Sequence, residues 1–357
     1  MVNIHDILKK KILVLDGATG TNLQKLNLSE SDFRGKKFIN HSKDLVGNFD
    51  ILNITNRKII KNLHFDFINT GVDIISTNTF SSSSIAQNDF DLSDYSFDIC
   101  FEGAKIAKEA VNESKKNILV AGVLGPTNKT ASISPIVDDP MHRDINFDEL
   151  YHSYLTCIDG LIKGGVDLIL IETVFDTLNA KACILSLLDY LEENNINIPS
   201  IVSGTITDKS GRTLVGQTCE AFWYSVKHLK PLAFGFNCAL GAKELRPYIS
   251  QIAKFVNTNI IAYPNAGFPN AFGHYDQSPE EMADIIRDYL EDGSVNIIGG
   301  CCGTSPQHIK KLVNLAKNYK PREIPLINNP TVLSGLEPFT LTPNINFVNI
   351  GERTNVT

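Results

Sequence analysis

Eight short apolar runs, separated by segments of helical period, predict an α/β protein folded as a (β/α)8 TIM barrel. Three observations carry that prediction. The runs are apolar and β-branched along most of their length instead of alternating, as strands buried on both faces require. Helical patterns fall between them, so that neighbouring strands run parallel. Each run ends in small or polar residues, and the C-terminal strand ends are where such barrels place their chemistry.

In chain order the runs are ILVLDGATG from Ile12, VDIISTNTF from Val72, ILVAGVLGP from Ile118 and VDLILIETV from Val166. They continue with PSIVSGTIT from Pro199, LAFGFNCAL from Leu232, NIIAYPNAG from Asn259 and VNIIGGCCGT from Val295. RKIIKNLHFDFINTG leads into the second run, DELYHSYLTCIDGLIKGG into the fourth and SPEEMADIIRDYLEDG into the eighth. The last of these opens with Ser278 as a cap, Pro279 at the first helical position and acids in the first turn. An open doubly wound sheet is the competing architecture, but its first turn calls for G-x-G-x-x-G and this chain has DGATGT. A long polar segment after the third run, GPTNKTASISPIVDDPMHRDINFDE, predicts a rim loop or lid.

Composition narrows the function. A net charge of -7 and no basic cluster beyond LKKK near the start argue against a nucleic-acid surface. No segment approaches the roughly 20 apolar residues of a membrane span, and MVNIHDILKKKILVLDG carries charges where a secretion signal is apolar. A cytoplasmic protein is expected. Seven cysteines, an odd number without a secretion signal, speak against a disulfide framework and leave reduced thiols for metal or catalysis.

The barrel rule gathers the polar strand ends on one rim: Asp16 with Gly17, Asn78 with Thr79, Gly125 with Pro126, Glu172 with Thr173, Asn237 with Cys238, Asn265, and Cys301 with Cys302. Adjacent cysteines in a regular strand point to opposite faces, so Cys301 and Cys302 serve one site only if the chain leaves the pleat, which the flanking glycines permit. With Cys238 they form a three-thiolate donor set suited to zinc, and a fourth tetrahedral position stays open. Such an ion carries a formal charge of about -1, poor for making hydroxide and well suited to holding another thiolate. A thiol substrate there loses its proton and becomes a nucleophile, so alkyl transfer to sulfur is the expected chemistry. Asp16 and Glu172 suit the ammonium group of an amino-acid substrate, with the amides around Gly17 and Ala18 for its carboxylate. Cys100, Cys157, Cys183 and Cys219 lie in helical patterns, away from this set.

LDGATGT, NTF, GPTN, IETVFDTLNAKA, GFNCALG, PNAG and GGCCGT, in that order, resemble the homocysteine S-methyltransferase family over residues 10–320. KTASISP, SGTITDKSGRTLVGQT and FPNAFGHYD are most similar to the homocysteine-binding domain of its cobalamin-dependent methionine synthase branch. The resemblance implies zinc on Cys238, Cys301 and Cys302 and homocysteine sulfur as the incoming ligand. It implies a substrate pocket of Asp16, Gly17, Ala18, Glu172, Thr173 and Asn265. Where relatives have DGGMGT, this chain has Ala18 and Thr19, and a small residue at 18 keeps backbone access to the substrate.

The resemblance divides the chain into a homocysteine-binding barrel at 1–320, a proline-spaced linker at 321–345 and the start of a methyltetrahydrofolate-binding domain, NFVNIGERTNVT, at 346–357. None of the eight histidines sits in a D-x-H-x-x-G cobalamin motif. Methylcobalamin is therefore expected as an external donor, with cobalamin- and folate-binding domains as partners in cis or in trans. Two other readings compete: a self-sufficient methyltransferase using betaine or S-methylmethionine, and a non-catalytic module that only binds zinc and homocysteine.

Overall fold

The computed structural model describes residues 4–207, 210–327 and 330–349. Eight strands follow the eight runs: β1 (Leu13–Val14), β2 (Ile74–Ser76), β3 (Leu119–Leu124), β4 (Leu168–Val174), β5 (Ser200–Gly204), β6 (Ala233–Gly241), β7 (Asn259–Asn265) and β8 (Ile297–Ile298). All pair in parallel in the order β1-β8-β7-β6-β5-β4-β3-β2. A parallel bridge between Leu15 and Ile74 closes the ring. The protein is an α/β TIM barrel.

Two apolar layers hold it. Leu13, Leu15, Ile74, Val123, Leu170 and Ile261 belong to one cluster, and the short helix Ile4–Leu8 joins it through Ile4 and Leu8. The neighbouring strand residues, among them Val14, Ile75, Val120 and Ile169, pack instead with the helices. This is the period of two expected when successive side chains face the barrel axis and the helix layer in turn. Buried apolar area of this kind stabilises at about 25 cal/mol per Å².

The helices begin and end as their sequences dictate. Ser278 and Glu281 make a reciprocal capping box at the start of Pro279–Glu291, and Asn146 with Glu149 does the same for Phe147–Gly164, which stops at Gly165 with φ +92°. The long loop after β3 is clamped to the next-but-one helix, Thr177–Glu193. Asp176 accepts from the amide and hydroxyl of Ser132 at 3.1 and 2.7 Å, and Asn179 Oδ1 accepts from the Ala131 amide at 2.9 Å.

Beyond the barrel, within the segment read as a linker, strands β9 (Thr331–Ser334) and β10 (Pro338–Leu341) form an antiparallel hairpin. Its turn docks on the loop after β5: the Thr218 amide donates to Leu336 O at 3.0 Å and Gln217 Nε2 to Gly335 O at 2.8 Å. Of the folate-domain start, Ile350–Thr357, including GERTN, lies outside the described residues. Among the described residues no helix is long and apolar enough to cross a membrane.

Candidate active site

The rim of the barrel opens on a cavity of about 330 Å³ whose lining includes Asp16, Gly17, Ala18, Glu172, Thr173, Cys238, Cys301 and Cys302. Asn265 is buried at the end of β7 and is not part of that lining.

The thiols converge because two strands stop being regular. β8 is only two residues long, and the rest of its run turns out of the sheet through Gly299 and Gly300. Cys301 N then donates to Pro264 O at 2.8 Å, Ala266 N donates to Cys302 O at 2.9 Å, and Gly303 reverses the chain at φ +83°. Across the rim β6 breaks register between Asn237 and Gly241, with Cys238 and Ala239 at φ +58° and +54°. Both are non-glycine residues in the left-handed region, which costs on the order of 1–3 kcal/mol each and is characteristic of functional sites. The outcome is that Cys238 Sγ and Cys302 Sγ lie 3.7 Å apart and all three sulfurs fall within 4.8 Å of one another. Sulfurs bound tetrahedrally at the Zn–S length of about 2.3 Å are separated by about 3.8 Å, so this group can hold a metal ion. Among the three thiols, hydrogen bonds with Cys238 and Cys301 pull Cys302 far below the ordinary thiol range, and hydrogen bonds with Cys238 and Cys302, together with burial, push Cys301 well above it.

Asp16 and Glu172 stand on the same cavity. Asp16 follows β1 and accepts from Ser76 N at 2.8 Å and from the Ser76 hydroxyl. Burial outweighs those bonds and lifts it to about 7. Glu172 Oε2 accepts from Tyr263 OH at 3.2 Å and Asn237 Nδ2 at 3.4 Å. Burial is again the main cause of its rise to about 8, the Tyr263 hydroxyl opposes it, and the nearby Asp16 charge adds to it. A buried Asp16 and a half-buried Glu172, both raised in this way and lining one cavity, are matched to a cation.

Other predicted residues are placed differently. Thr173, at φ +56°, donates its amide to Asn237 Oδ1 at 3.1 Å and accepts from Asn237 Nδ2 on its hydroxyl oxygen at 2.7 Å, so it braces the site. The Ala18 amide is taken by Thr304 Oγ1 at 3.1 Å. Gly17 packs so closely that a Cβ there would lie 2.8 Å from Thr304 Oγ1. Asn265 Oδ1 is buried without a hydrogen-bond partner, an available oxygen at the end of β7, where the flanking Pro264 O and Ala266 N bond to Cys301 and Cys302.

Sequence reasoning assigned no role to Asn237, Tyr263, Ser76 or Thr304. Asn237 is a hub: its Oδ1 accepts from Ser203 Oγ at 2.6 Å and its Nδ2 also lies 3.9 Å from Cys301 Sγ. The signal for it was present, an amide directly before a candidate ligand cysteine in an apolar strand. Tyr263 and Ser76 look like ordinary strand residues, and only the three-dimensional structure aims their hydroxyls at Glu172 and Asp16.

The profile of the homocysteine S-methyltransferase family matches residues 13–316. Among solved structures, the oxidized form of the homocysteine methyltransferase MmuM from Escherichia coli is similar, with a TM-score of 0.66 at 19% identity over 86% of this chain and 97% of that one. Its metallated form gives 0.65 at 19% identity over 86% and 96%. Its apo form gives 0.60 at 18% identity over 87% and 97%. At such identity these structures agree with the barrel fold.

Proposed function

The chain belongs to the homocysteine S-methyltransferase family, and from that premise we propose that it activates homocysteine for methyl transfer to sulfur, giving methionine. In this reading Cys238, Cys301 and Cys302 hold zinc, and the methyl comes from methylcobalamin on a separate domain or chain. The observation that supports it most is the placement of three thiols, all within 4.8 Å of one another, on the same small cavity as the acids Asp16 and Glu172. One ligand with a thiol at one end and an ammonium group at the other fits both.

Cys238, Cys301 and Cys302 would hold the zinc, which would supply a Lewis acid that keeps the substrate sulfur as a thiolate near neutral pH. Asp16 and Glu172 take the ammonium group, and Asn237 and Tyr263 hold Glu172 in place while they do so. Thr173 and Ser203 in turn fix the Asn237 amide. The thiolate lone pair forms the new S–CH3 bond while the donor keeps the electron pair of the bond that breaks. No general base is needed in that step, because the thiol proton has left on binding.

Proton counting adds a measurable consequence. A free thiol with a pKa of about 8.5 releases nearly one proton when it binds as thiolate near neutral pH. Asp16 and Glu172, at about 7 and about 8 in the empty cavity, are partly protonated there and ionise against the incoming ammonium group. Calorimetry in buffers of different ionisation enthalpy is therefore expected to report more than one proton released near pH 7. Glu172→Gln is expected to lower that number and weaken homocysteine by about 1.5–3 kcal/mol, with zinc retained.

The decisive experiment supplies the zinc-loaded chain and homocysteine with methylcobalamin, betaine, S-methylmethionine or methyltetrahydrofolate. Slow methionine formation from methylcobalamin alone is the expected result, slow because a free donor arrives unpositioned. Rapid turnover with betaine or S-methylmethionine would replace the donor assignment, and no methionine from any of them would leave a binding module.

A further inference from the structure

The barrel closes between its last and first strands, and there the loop after β8 is stitched to the loop after β1. Thr304, fully buried, is the centre of the seam. Its hydroxyl accepts from the Ala18 amide at 3.1 Å and donates to Cys301 O at 2.7 Å. Its carbonyl accepts from Asn22 Nδ2 at 2.9 Å, and the same amide group donates to Ala18 O at 2.7 Å. Gly303 N donates to Thr21 Oγ1 at 3.1 Å and Gly300 N to Asp16 O at 3.3 Å. The packing leaves no slack, since a Cβ at Gly17 would sit 2.8 Å and one at Gly300 2.6 Å from Thr304 Oγ1.

One side of this seam carries Cys301 and Cys302, and the other carries Asp16. From this we infer that Thr304, with Asn22, is a positioning residue that fixes the distance between the sulfur end and the ammonium end of the substrate, and so selects side-chain length. The inference rests on the function proposed above. A ligand held at both ends is bound best when the separation of its holders matches its own length, and a shift of a fraction of an ångström at one holder is enough to lose that match. Cysteine, one methylene shorter than homocysteine, is the competitor that a fixed separation rejects. The Thr304 hydroxyl touches neither thiol nor acid directly. It acts through the Cys301 carbonyl and the Ala18 amide, as supporting groups around a metal commonly do.

The test compares the full-length, zinc-loaded chain with Thr304→Val, which keeps the shape and removes the hydroxyl, Thr304→Ser, which restores it, and Asn22→Ala, which cuts the seam elsewhere. Bound zinc is measured by metal analysis, and homocysteine and cysteine binding by calorimetry. Thr304→Val is expected to keep its zinc, bind homocysteine about 10–100-fold more weakly and discriminate less against cysteine. Thr304→Ser is expected to recover most of the affinity and the discrimination. Should Thr304→Val fail to fold, Asn22→Ala decides by the same loss of discrimination with zinc retained. Parental discrimination in Thr304→Val and Asn22→Ala, or failure of Thr304→Ser to restore it, would overturn the inference while leaving the function standing. Absence of homocysteine binding in the parent would remove the function and the inference together.

Discussion

The two sides of the site solve one problem by opposite means. On the β8–β1 side the chain leaves the sheet through glycines, with Gly303 taking the left-handed turn so that Cys301 and Cys302 need not. On the β4–β6 side Thr173, Cys238 and Ala239 adopt φ between +54° and +58° themselves. A position that must supply a sulfur or a hydroxyl cannot be glycine, so there the backbone strain falls on the functional residue. Where a neighbouring residue can make the turn, glycine makes it at no steric cost. Close packing is the price on the glycine side, strain on the other.

The largest effect expected from breaking this pairing is loss of the metal. Cys301→Ala and Cys238→Ala each remove one of the three proposed ligands from opposite sides, and zinc should fall from one per chain towards none by metal analysis. A double mutant that kept full occupancy would refute the assignment. Substituting Cys100, Cys157, Cys183 or Cys219 by alanine should leave zinc unchanged, because all four are buried outside the cavity lining.

Each side also carries one acid, Asp16 buried and Glu172 half-buried, and both make stability depend on pH. Asp16 is raised to about 7 from 3.8, and Glu172 to about 8 from 4.5. A carboxyl group with a folded-state pKa above its unfolded value binds more protons in the native state, so the ligand-free protein loses stability as pH rises from about 4 to about 8. Chemical denaturation across that range should show a downward slope, flattened in Asp16→Asn and in Glu172→Gln. If the slopes were unchanged, these acids would be relaxed into solvent and the cavity wetter than its burial implies.

The glycine side is expected to be intolerant of even a methyl group. In Gly300→Ala the new Cβ would lie 2.6–2.8 Å from the Thr304 side chain, which cannot move away because its hydroxyl and carbonyl are both engaged. Overpacking of this kind costs about 1–3 kcal/mol, read as a lower denaturation midpoint of the metal-free chain with unchanged slope.

This asymmetry also explains what the sequence disclosed. All eight strands were legible because burial on both faces imprints a continuous apolar run, and the two cysteines after β8 announced themselves by their glycines. Cys238 was placed in the set by topology, since nothing local marks it as a ligand, and its backbone strain has no sequence signal. Asn237 was legible as a rim residue but not as a hub, and the roles of Tyr263, Ser76 and Thr304 were invisible, because each acts across the rim on a residue tens to hundreds of positions away. The β9–β10 hairpin was missed for a different reason. Its strands are half-exposed, and the prolines that bound them also suit an extended linker.

The smallest predicted effect isolates strain from function. Ala239 shares the left-handed backbone of Cys238, yet its methyl group supplies no ligand and no hydrogen bond, so glycine can replace it without removing a donor. Ala239→Gly relieves the clash between Cβ and backbone in the folded state but also gives the unfolded chain more freedom, and the two contributions oppose each other. Relief of about 1–2 kcal/mol against an entropic loss of about 0.4–1 kcal/mol leaves a net gain between about 0 and about 1.6 kcal/mol. Denaturation should therefore place Ala239→Gly slightly above the parent, in the opposite direction to Gly300→Ala, with zinc content unchanged. A destabilised Ala239→Gly would mean that the surrounding rim has relaxed around the alanine, and that the bend of β6 is held by packing and not by forced strain.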